Sequence, residues 1–257
     1  MWYSLVAYIK FLYKSTNQHA VHSPFVFDLV TKCFYDNKKY FDYKHLVSYK
    51  NELLKNKNKI EIFDLGSGSR IAKSNIRVIS QIAKQSGSTI KRTKLLYRLT
   101  QYFQFNNILE LGTSLGISTH ALSLSNPEAR ITTIEGCPNI SELTKHNFQK
   151  FNLKNIELVT GNFNDLIKNQ TNNTFDFIFF DGNHQKEATL GYFESLIKTA
   201  HNETVFIFDD IYWSKEMTEA WEIIKQHSKT TVSIDTFYWG IVFFRKEQAK
   251  EHFTIRL

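Results

Sequence analysis

The chain has 257 residues, a length that supports one sizeable core, or a core with a smaller lobe beside it. Its two cysteines, Cys33 and Cys137, stand far apart and outside any CxxC or metal-spaced group, which argues against a disulfide framework or zinc site and fits a reducing cytoplasm. The formal charge of +7 suits an anionic partner, but the lysines are spread along the chain among Asn, Ile and Phe, so nucleic acid is the weaker partner reading.

Residues 1–13 are apolar and aromatic but interrupted by Lys10, too short to span a bilayer and without a small-residue cleavage site. Neither a signal peptide nor a transmembrane segment is expected. Trp2, Tyr3, Phe11 and Tyr13 suit packing against the rest of the chain or a second copy in a homodimer better than a membrane surface. His19 and His22 have a spacing that could place two ligands on one helix, but no third ligand can be named nearby. Ser23 before Pro24 predicts a helix start, because serine caps orphan amides and proline fits the first helical position; the helix runs from Pro24 to Phe34. Residues 50–59, rich in Lys and Asn, read as a solvated helix end or linker. Residues 62–70 contain an Asp-Leu-Gly-Ser-Gly turn after an apolar pair. No strand series or downstream acid follows it, so it is a structural turn or a loop over the site, with Arg70 reaching an anion. Leu95, Leu96, Leu99 and Phe103 continue the helical spacing. Residues 1–90 are therefore expected to form an N-terminal helical appendage, a lid or an oligomerisation element, and residues 91–257 the main domain.

From Asn107 onward, short apolar runs alternate with amphipathic stretches, the pattern of successive βα units and a mostly parallel sheet. Strands are predicted over 107–111, 131–135, 156–160, 175–181 and 205–209. Two further β-rich runs, 230–237 and 240–244, are separated by only Tyr238 and Trp239, which demands an antiparallel pair.

In open α/β sheets ligands bind at the carboxyl ends of the strands. After the first strand, Gly112 and Gly116 permit a tight turn and close backbone approach, and Glu110 brings a carboxylate. Glu135 ends the second strand, where it can accept both hydrogen bonds of a ribose diol. Gly161, Asn162 and Phe163 follow the third with a flexible turn, an amide and an aromatic face. A Gly-x-x-x-Gly turn with a downstream acid also fits a nicotinamide cofactor, although the three-glycine fingerprint is not met.

The run from Leu109 to Ser118, Leu-Glu-Leu-Gly-Thr-Ser-Leu-Gly-Ile-Ser, resembles the cofactor turn of class I S-adenosylmethionine-dependent methyltransferases of the catechol and caffeoyl-CoA O-methyltransferase-like branch. The resemblance covers residues 91–245. It implies a Rossmann-like α/β fold with a seven-stranded, mostly parallel sheet whose last strand is antiparallel. It also implies that Gly112, Ser114 and Ser118 line the methionine end of S-adenosylmethionine, Glu135 the ribose, and Asn162 and Phe163 the adenine. Glu110, Thr113, Gly116, Gly136, Gly161 and Asp181 complete the candidate cofactor set.

Asp181-Gly182-Asn183-His184 is similar to the segment in which that branch places a metal-binding Asp and, three residues on, a catalytic Lys. Asp209-Asp210 is similar to its Asp-Asn ligand pair. The resemblance thus implies Asp181, Asp209 and Asp210 as Mg²⁺ ligands, with Asp181 and His184 as catalytic candidates; His in place of Lys and Asp in place of Asn depart from the pattern. A histidine base is chemically reasonable for deprotonating a hydroxyl. Trp213, Tyr238 and Trp239 could stack on an acceptor or fill core. The expected reaction is O-methylation of a small hydroxylated acceptor. Methylation of RNA or another macromolecule is the second enzymatic reading, and a non-catalytic cofactor-binding module the third.

Overall fold

The computed structural model describes residues 2–62, 75–85 and 87–257, and the chain groups into two compact units. One joins residues up to 36 with residues 167–257; the other is residues 37–166. The first 90 residues are therefore divided between the two.

Helix α1 (Trp2–Lys14) buries Ala7 and Phe11, four residues apart on one face. Phe11 packs on Phe237 with ring centroids 5.5 Å apart, whereas Trp2 and Tyr13 stay exposed, so the N-terminal aromatics divide between core and surface. Helix α2 (Pro24–Leu29) starts as expected, the Ser23 hydroxyl accepting from the Val26 amide, and continues as a π-helical turn through Phe34. Near His19 and His22, as elsewhere among the described residues, no group of three His, Cys, Asp or Glu side chains could hold a metal.

In residues 37–166, helix α3 (Tyr43–Lys55) leads into an antiparallel ribbon, β1 (Lys59–Glu61) with β2 (Ile76–Val78), and then α4 (Ile79–Gln85) and α5 (Ile90–Phe103). Thr89 caps α5 by accepting from the Arg92 amide. The glycine-rich turn of residues 64–70 lies outside the described residues. Three parallel strands follow with their crossover helices: β3 (Asn107–Leu111), α6 (Ile117–Ser125), β4 (Arg130–Glu135), α7 (Pro138–Lys150) and β5 (Ile156–Thr160). Ile108, Ile131 and Ile156 align across them. A buried cluster from Tyr49 and Leu53 of α3, Ile79 and Ile82 of α4, Leu115, Ile117, Ile140 and Phe148 fastens the N-terminal helices onto the β3–α6 turn. Lys50 differs from the expected solvated segment. It is 9% exposed, while Lys55, Lys57 and Lys59 are exposed as expected.

Helix α8 (Phe163–Gln170) leads to β6 (Phe175–Phe180), whose Phe-Asp-Phe-Ile-Phe-Phe run is the near-continuous apolar pattern of a strand covered on both faces. Then come α9 (Lys186–Leu196), β7 (Ala200–Asp209), α10 (Lys215–Gln226), β8 (Val232–Asp235), β9 (Trp239–Phe243) and β10 (Glu251–Thr254). Strands β6 and β7 are parallel; β9 runs antiparallel to both β7 and β8, and the three-residue link 236–238 between β8 and β9 is short enough to require that antiparallel pair. The α/β class and mostly parallel pairing are as expected, with one correction. Among the described residues, the strands beyond the β1–β2 ribbon number eight rather than seven, three in one unit and five in the other, and the last, β10, pairs parallel with β8. This strand is four residues long, with Glu251 and His252 exposed, so its sequence has the polar character of an edge.

Gly240 fixes how α10 lies on the hairpin. A Cβ there would meet the Trp221 indole at 2.6 Å. Gly240→Ala should destabilise the protein by about 1–3 kcal/mol, read as a lower urea midpoint; an unchanged midpoint would contradict this packing.

Candidate active site

The β3–α6 turn is built from glycine geometry and shared carbonyls. The amides of Gly112 and Thr113 both donate to the Ile134 carbonyl, at 2.9 and 3.2 Å, which bends the chain sharply at the end of β3. Gly112 (φ 101°), Ser114 (φ 47°) and Gly116 (φ 72°) occupy left-handed backbone, which costs a non-glycine residue such as Ser114 some strain. Gly116 cannot carry a side chain. A Cβ would lie 2.4 Å from the Phe148 ring and 2.9 Å from Thr144. It is also the N-cap of α6 and, as glycine, offers no side chain to the first amides of that helix, a place that favours an anion.

Glu135 ends β4 as the sequence requires and turns toward this loop. Its Oε2 accepts from the Ser114 amide and its Oε1 from the Cys137 amide, both at 2.8 Å. An ionised carboxylate has roughly four acceptor sites, the group type that can meet a diol. Gly136 lies between those contacts. Gly161 (φ 153°) donates its amide to the Glu135 carbonyl at 2.9 Å, bringing the end of β5 beside the end of β4. The Asn162 side chain accepts from the Asn164 amide at the start of α8, with Phe163 half-buried next to it. Thr144 holds the Ser114 carbonyl at 2.8 Å.

Glu110 lies beneath the turn, fully buried. Its Oε2 accepts from the hydroxyls of Thr119 (2.5 Å) and Thr133 (2.6 Å), and Thr133 also shares a 2.7 Å hydrogen bond with Thr113. Burial pushes the Glu110 carboxyl up to about 7, the two threonine hydroxyls oppose the rise and nearby Glu135 adds to it. The packing of Glu110 is that of a turn support. Ser118, in the first turn of α6, is buried and pairs with the Ser88 hydroxyl at 2.9 Å.

In the other unit, the ends of β6 and β7 carry the second set. Asp181 follows β6 directly, and His184 sits three residues on with its Nε2 3.9 Å from Asp181 Oδ1. Asn183 between them is left-handed (φ 52°), and its amide nitrogen donates to the Tyr192 hydroxyl at 3.1 Å, fixing the loop on α9. Trp213 lies beside His184, ring centroids 6.5 Å apart. Asp209 ends β7 and is buried, whereas Asp210 turns left-handed (φ 53°) and its carbonyl accepts from the Trp213 amide. Asp181, Asp209 and Asp210 share no three-donor cluster among the described residues, so this donor set does not fit a preassembled Mg²⁺ site. The ion pair Lys186–Glu219, at 2.8 Å, ties α9 to α10. Trp239 is buried core, 5.9 Å from Phe179, and Tyr238 is half exposed. Tyr49, Lys50 and Ser88, which pack around the turn, were not singled out by sequence spacing; they precede the recognisable strand series, and only burial distinguishes them.

Residues 109–211 match a family model described as a methyltransferase domain. Among solved structures, a methyltransferase of Podospora anserina bound to S-adenosylhomocysteine is similar with TM-score 0.62 and 13% identity, over 88% of this chain and 97% of that one. An O-methyltransferase of Bacillus cereus in complex with S-adenosylhomocysteine gives TM-score 0.54 and 20% identity, over 83% and 95%. The O-methyltransferase TomG of Streptomyces achromogenes, solved with S-adenosylmethionine and involved in tomaymycin synthesis, gives 0.57 and 16%, over 84% and 95%. At such identities the likeness establishes the fold. No curated protein sequence matches the chain.

Two outcomes follow from the turn. Gly116→Ala should lower the unfolding midpoint and weaken S-adenosylhomocysteine binding measured by calorimetry, and wild-type values for both would contradict the Phe148 contact. For Glu110, a raised folded-state pKa means a stabilising contribution that is full below its ordinary 4.5 and is lost as pH rises through about 7. Between pH 5 and 8 the wild type should lose up to roughly 3 kcal/mol more stability than Glu110→Gln in urea titrations; parallel pH profiles would contradict it.

Proposed function

We propose that this chain, whose residues 109–211 match a methyltransferase domain, methylates the hydroxyl oxygen of a small molecule with S-adenosylmethionine. The observation that carries the cofactor reading is the Glu135 carboxylate drawn onto the Ser114 amide at the mouth of the Gly112–Gly116 turn. S-adenosylmethionine supplies a methyl group on a sulfonium centre, which passes to the acceptor oxygen as the carbon–sulfur bond breaks.

In this reading residues 37–166 hold the cofactor. Glu135 takes the ribose diol, the uncapped amides of α6 with Ser114 and Ser118 take the methionine end, and Asn162 and Phe163 take the adenine. The protein's main contribution is alignment, since holding two reactants in line removes most of the entropic barrier of a bimolecular displacement. His184 accepts the acceptor's hydroxyl proton, and Asp181, whose Oδ1 lies 3.9 Å from His184 Nε2, stabilises the protonated imidazole. Trp213 offers a ring beside that base for the body of the acceptor. No step is assigned to Mg²⁺, because Asp181, Asp209 and Asp210 do not converge as ligands. The acceptor is read as a small molecule because the positive charge is dispersed rather than gathered.

Glu135→Ala should weaken S-adenosylhomocysteine binding by tenfold or more, on the order of the loss of two hydrogen bonds to a charged group; calorimetry giving an unchanged dissociation constant would remove the cofactor assignment. His184→Ala should lower kcat by about 10²–10⁴-fold while leaving that dissociation constant unchanged, and full turnover in the variant would remove the assigned base.

A further inference from the structure

Lys50 is a buried cation, and among the described residues no carboxylate pairs with it. Its side chain leaves α3 and is 9% exposed, and its Nζ donates to the Ser88 carbonyl at 2.5 Å. Ser88 in turn pairs through its hydroxyl with Ser118, in the first turn of α6. The neighbouring residue on α3, Tyr49, donates its hydroxyl to the Leu115 carbonyl at 2.8 Å, which fixes this stretch of helix directly on the β3–α6 turn. An ammonium group has three donors and only one is used here. Burial, and then the nearby Arg92 guanidinium, push the Lys50 pKa down. A buried ammonium without a counter-charge is costly, and a bound carboxylate would offset that cost.

We infer that Lys50 and the Ser88–Ser118 hydroxyl pair form a carboxylate subsite that receives the amino-acid end of the cofactor. The inference rests on the S-adenosylmethionine reading and assigns what that reading leaves open, the countercharge for the methionine carboxylate. The uncapped N-terminus of α6 points the same way, since its orphan amides favour an anion at the position of Ser118. Lys50 enters the reaction by anchoring the cofactor and takes no part in proton transfer. Arg92 raises the local positive potential from α5.

The test compares two probes by calorimetry on the full chain: S-adenosylhomocysteine, which has the carboxylate, and 5′-methylthioadenosine, which keeps the adenosine and sulfur but lacks the amino-acid part. Lys50→Met should weaken S-adenosylhomocysteine about tenfold to a hundredfold and leave 5′-methylthioadenosine unchanged. Lys50→Arg should recover most of the loss. Because Met keeps the apolar stem and removes a buried charge, the unfolding midpoint of Lys50→Met should be equal to or above that of the wild type, which separates lost binding from lost folding. Equal weakening of both probes, or no weakening of either, would overturn the subsite. If the wild type binds neither probe, the cofactor reading itself fails, and the subsite falls with it.

Discussion

At Gly116 the chain leaves β3 and enters α6 with left-handed backbone, in a space that Phe148 and Thr144 fill up to the glycine's own Cα. That constraint sets the position of α6, and with it the uncapped amides of its first turn, Ser118 and the Ser114 carbonyl that Thr144 holds. Glu135 then closes the loop from the neighbouring strand by binding the Ser114 amide. Beneath them Glu110, Thr119, Thr133 and Thr113 form a buried hydrogen-bonded support that fixes the turn. A turn with this many fixed partners is preorganised, so little of its binding energy is lost to ordering on contact with a cofactor.

The second set of residues depends on a similar device. Asn183 and Asp210 adopt left-handed backbone just beyond β6 and β7, conformations that Asn and Asp tolerate better than most residues. The Asn183 turn puts His184 back beside Asp181, three residues earlier, and the Tyr192 hydrogen bond holds it there. The Asp210 turn carries Trp213 round to His184. An acid, a base and an aromatic ring thus come from two strand ends, with the Lys186–Glu219 pair tying the helices that follow.

Much of this was legible in the sequence because it is local. The apolar run and glycines of residues 108–116, the acid ending at Glu135 and the short link at Tyr238 and Trp239 each dictate their own geometry, and β3, β5 and the antiparallel β8–β9 pair follow. Residues whose role depends on distant contacts were not legible. Strand β10, short and polar, has no pattern of its own and exists through its register with β8. Lys50 belongs to a Lys- and Asn-rich stretch that reads as solvated, and only the packing of α3 on the β3–α6 turn takes its ammonium out of water. Glu110 reads as a strand-end carboxylate because it precedes Gly112 by two, but its burial and its Thr119 and Thr133 partners depend on contacts from α6 and β4. The three aspartates look like a ligand set in sequence, but the left-handed turn at Asp210 accompanies an arrangement in which they do not gather.

The most direct measurement of the central claim is transfer of a labelled methyl group from S-adenosylmethionine into fractionated cell extract, followed by mass analysis of the labelled product. The account predicts label in a small molecule carrying one additional methyl as an ether oxygen substituent, dependent on His184. Label that appears only in RNA or protein, or no transfer from a protein that binds S-adenosylhomocysteine, would contradict it.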